Sequence, residues 1–233
     1  MSNSESDANV IKQMIETVKE TFENAKIFDN SDNNAVIPIN FDIDTKSKIM
    51  FVVGTNASGK SIIGKIIEIL AREDNLSKRS CSMRNRTSGD FGQRMIFGTE
   101  DDNSTGVNSI HATIMGLKST ISETNSVLIL DEPDLGLAEE YSAALGQFIA
   151  KSVNENSENI GLILVVTHSK NLIKAALEEL TVPFSKVYVG DSNISFDDWY
   201  ESPFKPASIE DLLNLKEKSR ETWKKIELII KEK

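Results

Sequence analysis

Eight consecutive residues constrain this chain more than any others: Gly54-Thr55-Asn56-Ala57-Ser58-Gly59-Lys60-Ser61, which fits the spacing GxxxxGK[ST] at every fixed position. The apolar run Ile49-Met50-Phe51-Val52-Val53 precedes it and reads as a strand buried on both faces. From Lys60 to about Arg72 the pattern is helical. Strand, glycine-bearing loop and helix therefore follow in the order that a phosphate-binding loop requires. The glycines permit close backbone approach, so a ring of amide N–H groups and the helix N-terminus can surround polyphosphate oxygens. Lys60 is expected to bridge the β- and γ-phosphates, and the Ser61 hydroxyl to ligate Mg2+. A random chain of this length would carry the pattern only about once in a hundred.

A second motif lies downstream. Val127-Leu128-Ile129-Leu130 is apolar, and Asp131-Glu132 follows directly. A buried parallel strand would present Asp131 at its carboxyl end, where ligands of open α/β sheets collect. Asp131 is then placed to hold Mg2+ through a water, and Glu132 to polarise an attacking water.

Between these motifs and beyond the second, apolar segments alternate in kind. A helix near 107–121 precedes the strand at 127–130; a helix at about 137–152 precedes a strand at 162–166; a helix at 170–180 leads to a strand at 186–189. Such alternation predicts an α/β fold, a mostly parallel sheet flanked by helices. Residues 35–43 alternate apolar and polar, and Pro38 places that strand at an edge. Three regions result: an N-terminal helix and polar linker at 1–34, a nucleotide-binding domain at 35–200, and a C-terminal helix at 201–233. In the first, Val10, Ile11, Met14, Ile15, Val18 and Phe22 give a helix from about 8 to 25 after a frayed start. In the last, Ser208 with Asp211 resembles a capping box, and Ile209, Leu212, Leu213, Trp223, Ile226 and Ile230 form a stripe that either packs back or meets another subunit.

Bulk composition narrows the function. The formal net charge of −10 disfavours wrapping nucleic acid through non-specific charge. Cys81 is the only cysteine, which excludes an internal disulfide and fits a reducing, cytoplasmic setting. The chain has no run of 18 apolar residues, so no membrane segment is expected.

The residues around the second motif resemble the ABC superfamily, in particular its soluble branches, the recombination-repair and structural-maintenance-of-chromosomes ATPases. The run Leu130-Asp131-Glu132-Pro133-Asp134 is similar to theirs, as is Asn56 in the phosphate loop. The resemblance implies ATP and Mg2+ as ligands and Glu132 as the catalytic base. It makes His168, in Val166-Thr167-His168-Ser169, a switch histidine sensing the γ-phosphate. Ser104-Thr105-Gly106 looks like a shortened family signature, in which Ser104 and Gly106 would reach the phosphate loop of a second copy; helix capping is the alternative. Gln93 occupies the place of a metal- and water-contacting glutamine.

The chain also departs from the pattern. Ala57 replaces the usual glycine, the signature lacks its leucine and second glycine, and Ala138 stands where an aspartate is frequent. The interval between Gln93 and Ser104 is too short for a transporter's helical subdomain, and no heptad run lies between Ser61 and Asp131 to form a coiled-coil arm. The expected protein is a compact, armless ATPase that forms an ATP-dependent homodimer in a DNA-related, defence or phage process. A nucleotide-sensing module with little turnover and a phosphotransferase are the alternatives. Lys78, Arg79, Arg84, Arg86 and Arg94 form a basic cluster that suits nucleotide phosphates, a nucleic-acid backbone, an acidic protein partner or plain solvent. Phe28 and Phe41 are the upstream aromatics available to stack on adenine, and either equally suits the core.

Overall fold

A computed structural model describes residues 2–29, 35–82 and 104–231. Among these residues six strands form one sheet: β1 (Ile39–Asp42), β2 (Ile49–Gly54), β3 (Lys78–Ser82), β4 (Ser126–Asp131), β5 (Ile160–Val166) and β6 (Phe184–Val189). Their spatial order is β1-β6-β2-β5-β4-β3. Every neighbouring pair is parallel except β1 with β6. The helices are α1 (Ser2–Asn24), α2 (Lys60–Glu73), α3 (Thr105–Ile121), α4 (Glu139–Glu155), α5 (Lys170–Glu179), α6 (Phe196–Glu201) and α7 (Ile209–Lys231). The α/β architecture is therefore a mostly parallel sheet flanked by helices.

Strand periodicity explains the layers. Met50 and Val52 of β2 point to the face covered by α1 and α2, with Met14, Ile15, Val18, Ile63 and Ile67. Ile49, Phe51 and Val53 point to the opposite face, with Leu117, Leu145, Ile149, Leu172 and Phe196 from α3 to α6. Because both faces are covered, the central strands read as continuous apolar runs. Burying each such Ile, Leu or Val contributes about 1.5–3 kcal/mol. Pro38 lies just before β1, at the expected sheet edge.

Some boundaries differ from the sequence pattern. Helix α1 begins at Ser2, so the polar start is helical rather than frayed. Strand β3 has the sequence Lys-Arg-Ser-Cys-Ser, with the side chains of its first three residues partly or largely exposed, as suits an edge strand. The six-residue α6 is too short to announce itself by periodicity, and its start is fixed instead by the reciprocal Ser195–Asp198 capping box. A similar exchange joins Ser208 and Asp211 at the start of α7. Among the described residues no helix is long and apolar enough to cross a membrane.

Candidate functional site

The carboxyl ends of β2, β4 and β5 meet on one side of the sheet, and β5 stands between the other two. Each end carries one part of the site.

Gly54 ends β2 at φ +145°, and a Cβ there would lie 2.0 Å from the Val189 carbonyl oxygen. Only glycine lets the chain leave the strand at this point. Gly59, at φ +103°, caps α2 without a side-chain bond, and no acidic residue sits in the first turn. The helix therefore opens with backbone donors and no competing negative charge, an arrangement that favours an anion. Lys60 is buried at 5% exposure and donates to the carbonyl oxygens of Gly54 (3.2 Å) and Thr55 (2.7 Å). The ammonium is thus folded into the cup of its own loop. The Ser58 hydroxyl is buried with no hydrogen-bond partner among the described residues, a donor suited to a ligand oxygen. Ala57 takes a left-handed conformation at φ +59°, the conformation for which its glycine counterpart would be suited.

At the end of β4, Asp131 accepts from the Ser82 hydroxyl of the edge strand at 3.1 Å. Glu132 is also left-handed, at φ +55°, and its N–H donates to the Val166 carbonyl at 2.8 Å. That turn brings the Glu132 carboxylate to 3.5 Å from His168 Nε2, just past β5. Thr167, wholly buried, donates to Asp134 Oδ1 at 2.7 Å and accepts from the Ser169 N–H at 2.9 Å. The segments after β4 and β5 are therefore tied together, which fixes the acid relative to the imidazole.

These parts share one cavity of about 570 Å³, within the range of ligand sites. Asn56, Ala57, Ser58, Gly59, Lys60 and Ser61 line it from the loop, with Asp131, Glu132 and His168 facing them. Magnesium takes few protein ligands and relies on phosphate oxygens and water. The Ser61 hydroxyl and Asp131 carboxylate are a donor set of that kind.

Other expected site residues fall elsewhere. Ser104 is exposed at the N-cap of α3 and makes no side-chain cap, so the hydroxyl-capping alternative is not the one adopted. Gly106 is buried against the loop after Glu132, where a Cβ would stand 2.5 Å from the Gly136 carbonyl oxygen. Neither lines the cavity. Gln93, Arg84, Arg86 and Arg94 lie outside the described residues. Two members of the basic cluster are paired: Lys78 with Glu68 at 2.8 Å, and Arg79 with Glu123 at 2.5 Å. Phe28 and Phe41 both pack edge-on against Phe22 in the core. The thiol of Cys81 is pushed up to about 11, chiefly by burial and against the pull of Arg79, so it is no nucleophile at neutral pH.

The pattern of single residues also missed contributors. Ser80, Ser82, Lys65 and Glu68 line the cavity from β3 and α2, and Ser219, Thr222, Trp223 and Ile226 line it from α7. The i, i+3, i+4, i+7 spacing of that last group marks one helical face, but nothing in periodicity says what the face covers. Compared with known proteins, the chain matches no family model and no curated protein.

Proposed function

We propose that this chain binds and hydrolyses magnesium-ATP as a P-loop ATPase of the ABC type. The observation that carries the reading is the convergence of a complete phosphate loop, a strand-end Asp-Glu pair and a histidine on one cavity. In this reading the loop amides and Lys60 hold the phosphate chain, with Lys60 exchanging its carbonyl partners for phosphate oxygens. Ser61 and Asp131 support Mg2+. Glu132 accepts a proton from the attacking water, and His168, adjacent to it, reports the terminal phosphate. A second copy would present the exposed Ser104, at the start of the helix that the buried Gly106 packs in place, to the loop and close the dimer on ATP. Hydrolysis removes charge that joins the two halves, so the dimer loosens. The DNA-related or defence role belongs to the same proposal and is tested by stimulation of turnover with added DNA.

Two substitutions test the core of the reading. Lys60→Ala is expected to abolish retention of magnesium-ATP in equilibrium dialysis. Glu132→Gln should retain nucleotide while turnover falls about 100-fold or more. Size-exclusion of Glu132→Gln should show a dimer with ATP and a monomer without it. Retention that survives Lys60→Ala, or turnover that survives Glu132→Gln, refutes the assignment.

A further inference from the structure

The cavity has a roof that comes from the far end of the chain. Ser219, Thr222, Trp223 and Ile226 face the phosphate loop across it, and the Lys65 ammonium sits 5.1 Å from the Trp223 ring centroid. The roof covers a particular end. Glu68, Ser80, Ser82 and Ile129 line the same space, all on the β3–β4 side of the loop, where Asp131 and Glu132 also stand. A terminal phosphate attacked by a water that Glu132 polarises would face this end.

The roof is lightly held. Of the described side chains of α7 only Ile226 is buried, at 5% exposure, and Trp223 remains 47% exposed. The same stripe continues toward the helix start, where Ile209, Leu212 and Leu213 are 78%, 64% and 75% exposed. Residues 203–208, which lead into the helix, are exposed and without regular structure. A long helix seated by its C-terminal half, with Ile226 its one buried anchor among the described side chains, has few buried contacts to break on lifting.

We propose that α7 is an inhibitory strap that closes the terminal-phosphate side of the site within one chain. The inference rests on the ATP-site reading above. A second copy reaching for Asn56 to Ser61 would need the space that Ser219 to Ile226 occupy, so strap and partner exclude one another. Lifting the strap would admit the partner and start turnover; reseating it would return the chain to rest.

The seat can be weakened or fixed in the full-length chain. Ile226→Ala and Trp223→Ala should raise ATP turnover several-fold and shift magnesium-ATP-dependent self-association to lower protein concentration. Glu68→Cys with Ser219→Cys, joined by a cleavable thiol crosslinker spanning the cavity, should lower turnover at least ten-fold until the link is cut. Native Cys81 is buried and stays out of that reaction. Seat variants that melt like the parent and retain nucleotide, yet show parental turnover and self-association, overturn the strap alone. So does a crosslinked protein that turns over at the parental rate. Failure of the ATP site itself shows separately, as a parent that does not retain magnesium-ATP, and the strap then falls with it.

Discussion

Replacing Ala57 by glycine should make the unliganded protein more stable, although it removes a side chain. Ala57 is held at φ +59°, and an L-residue in that region costs roughly 1–2 kcal/mol because Cβ crowds the following carbonyl. Glycine relieves that cost. Its greater freedom in the unfolded chain returns about 0.4–1 kcal/mol of it. The alanine methyl is half-buried at the cavity wall, so little packing is lost. The net gain is about 0.5–1 kcal/mol, or roughly 1–4 °C in Tm for a chain of this size. Thermal melting followed by circular dichroism, without nucleotide, reads it directly. Ala57→Val is the opposing control, since a β-branched residue at positive φ is more strained and should melt below the parent. If Ala57→Gly melts no higher than the parent, or Ala57→Val no lower, the left-handed loop is not the conformation in solution.

Two further outcomes follow from single contacts. Gly106→Ala places a methyl 2.5 Å from the Gly136 carbonyl oxygen and 2.9 Å from a Leu137 methyl, so it should cost about 1–3 kcal/mol by forcing α3 away from the loop after Glu132; unchanged chemical denaturation would refute that packing. Cys81, 7% exposed and with its thiol pushed up to about 11, should resist maleimide at pH 8 for hours and react promptly in denaturant. Because burial favours the neutral thiol, the folded state loses stability relative to the unfolded one as pH rises from the ordinary thiol value near 9 toward 11. A folded protein that labels within minutes at pH 8 would contradict the burial.

Much of the fold was legible because its strands are covered on both faces. Ile49 to Val53, Val127 to Leu130 and Leu162 to Val166 are apolar runs with one sensible state, and each ended close to where the pattern ended. The edge strand Lys78–Ser82 was not legible in this way, since an edge strand with partly exposed side chains carries no apolar run. The site divided along a similar line. Lys60, Asp131, Glu132 and His168 came from local motifs at strand ends, and the structure brings those residues to one cavity. Trp223 contributes through a tertiary contact with Lys65 of α2, more than 150 positions earlier in the chain. No local pattern encodes a contact of that range. Two members of the basic cluster show the same limit: Glu68 and Glu123 reach Lys78 and Arg79 from α2 and from the turn before β4, pairings that the local run of charges does not encode.

Glu132 offers a second, independent measure of strain at this site. Among the described residues four non-glycine residues have positive φ: Ala57, Asn75, Asn125 and Glu132. The two asparagines belong to a residue type that tolerates the left-handed region. Ala57 and Glu132 do not, and both line the cavity. Strain that survives folding at such positions is held by its surroundings, here the 2.8 Å bond from the Glu132 N–H to Val166 and the tie between Thr167 and Asp134. The comparison of Glu132→Gly with Glu132→Ala isolates the backbone cost, because both lack the carboxylate and its contact with His168. Glycine should melt above alanine by about 0.5–1 kcal/mol, the left-handed cost less the unfolded-state freedom. Neither variant should turn over ATP. A glycine variant at or below the alanine variant would mean that the turn relaxes once the carboxylate is gone. In that case the acid's own contacts, rather than the strand end, set its position against His168.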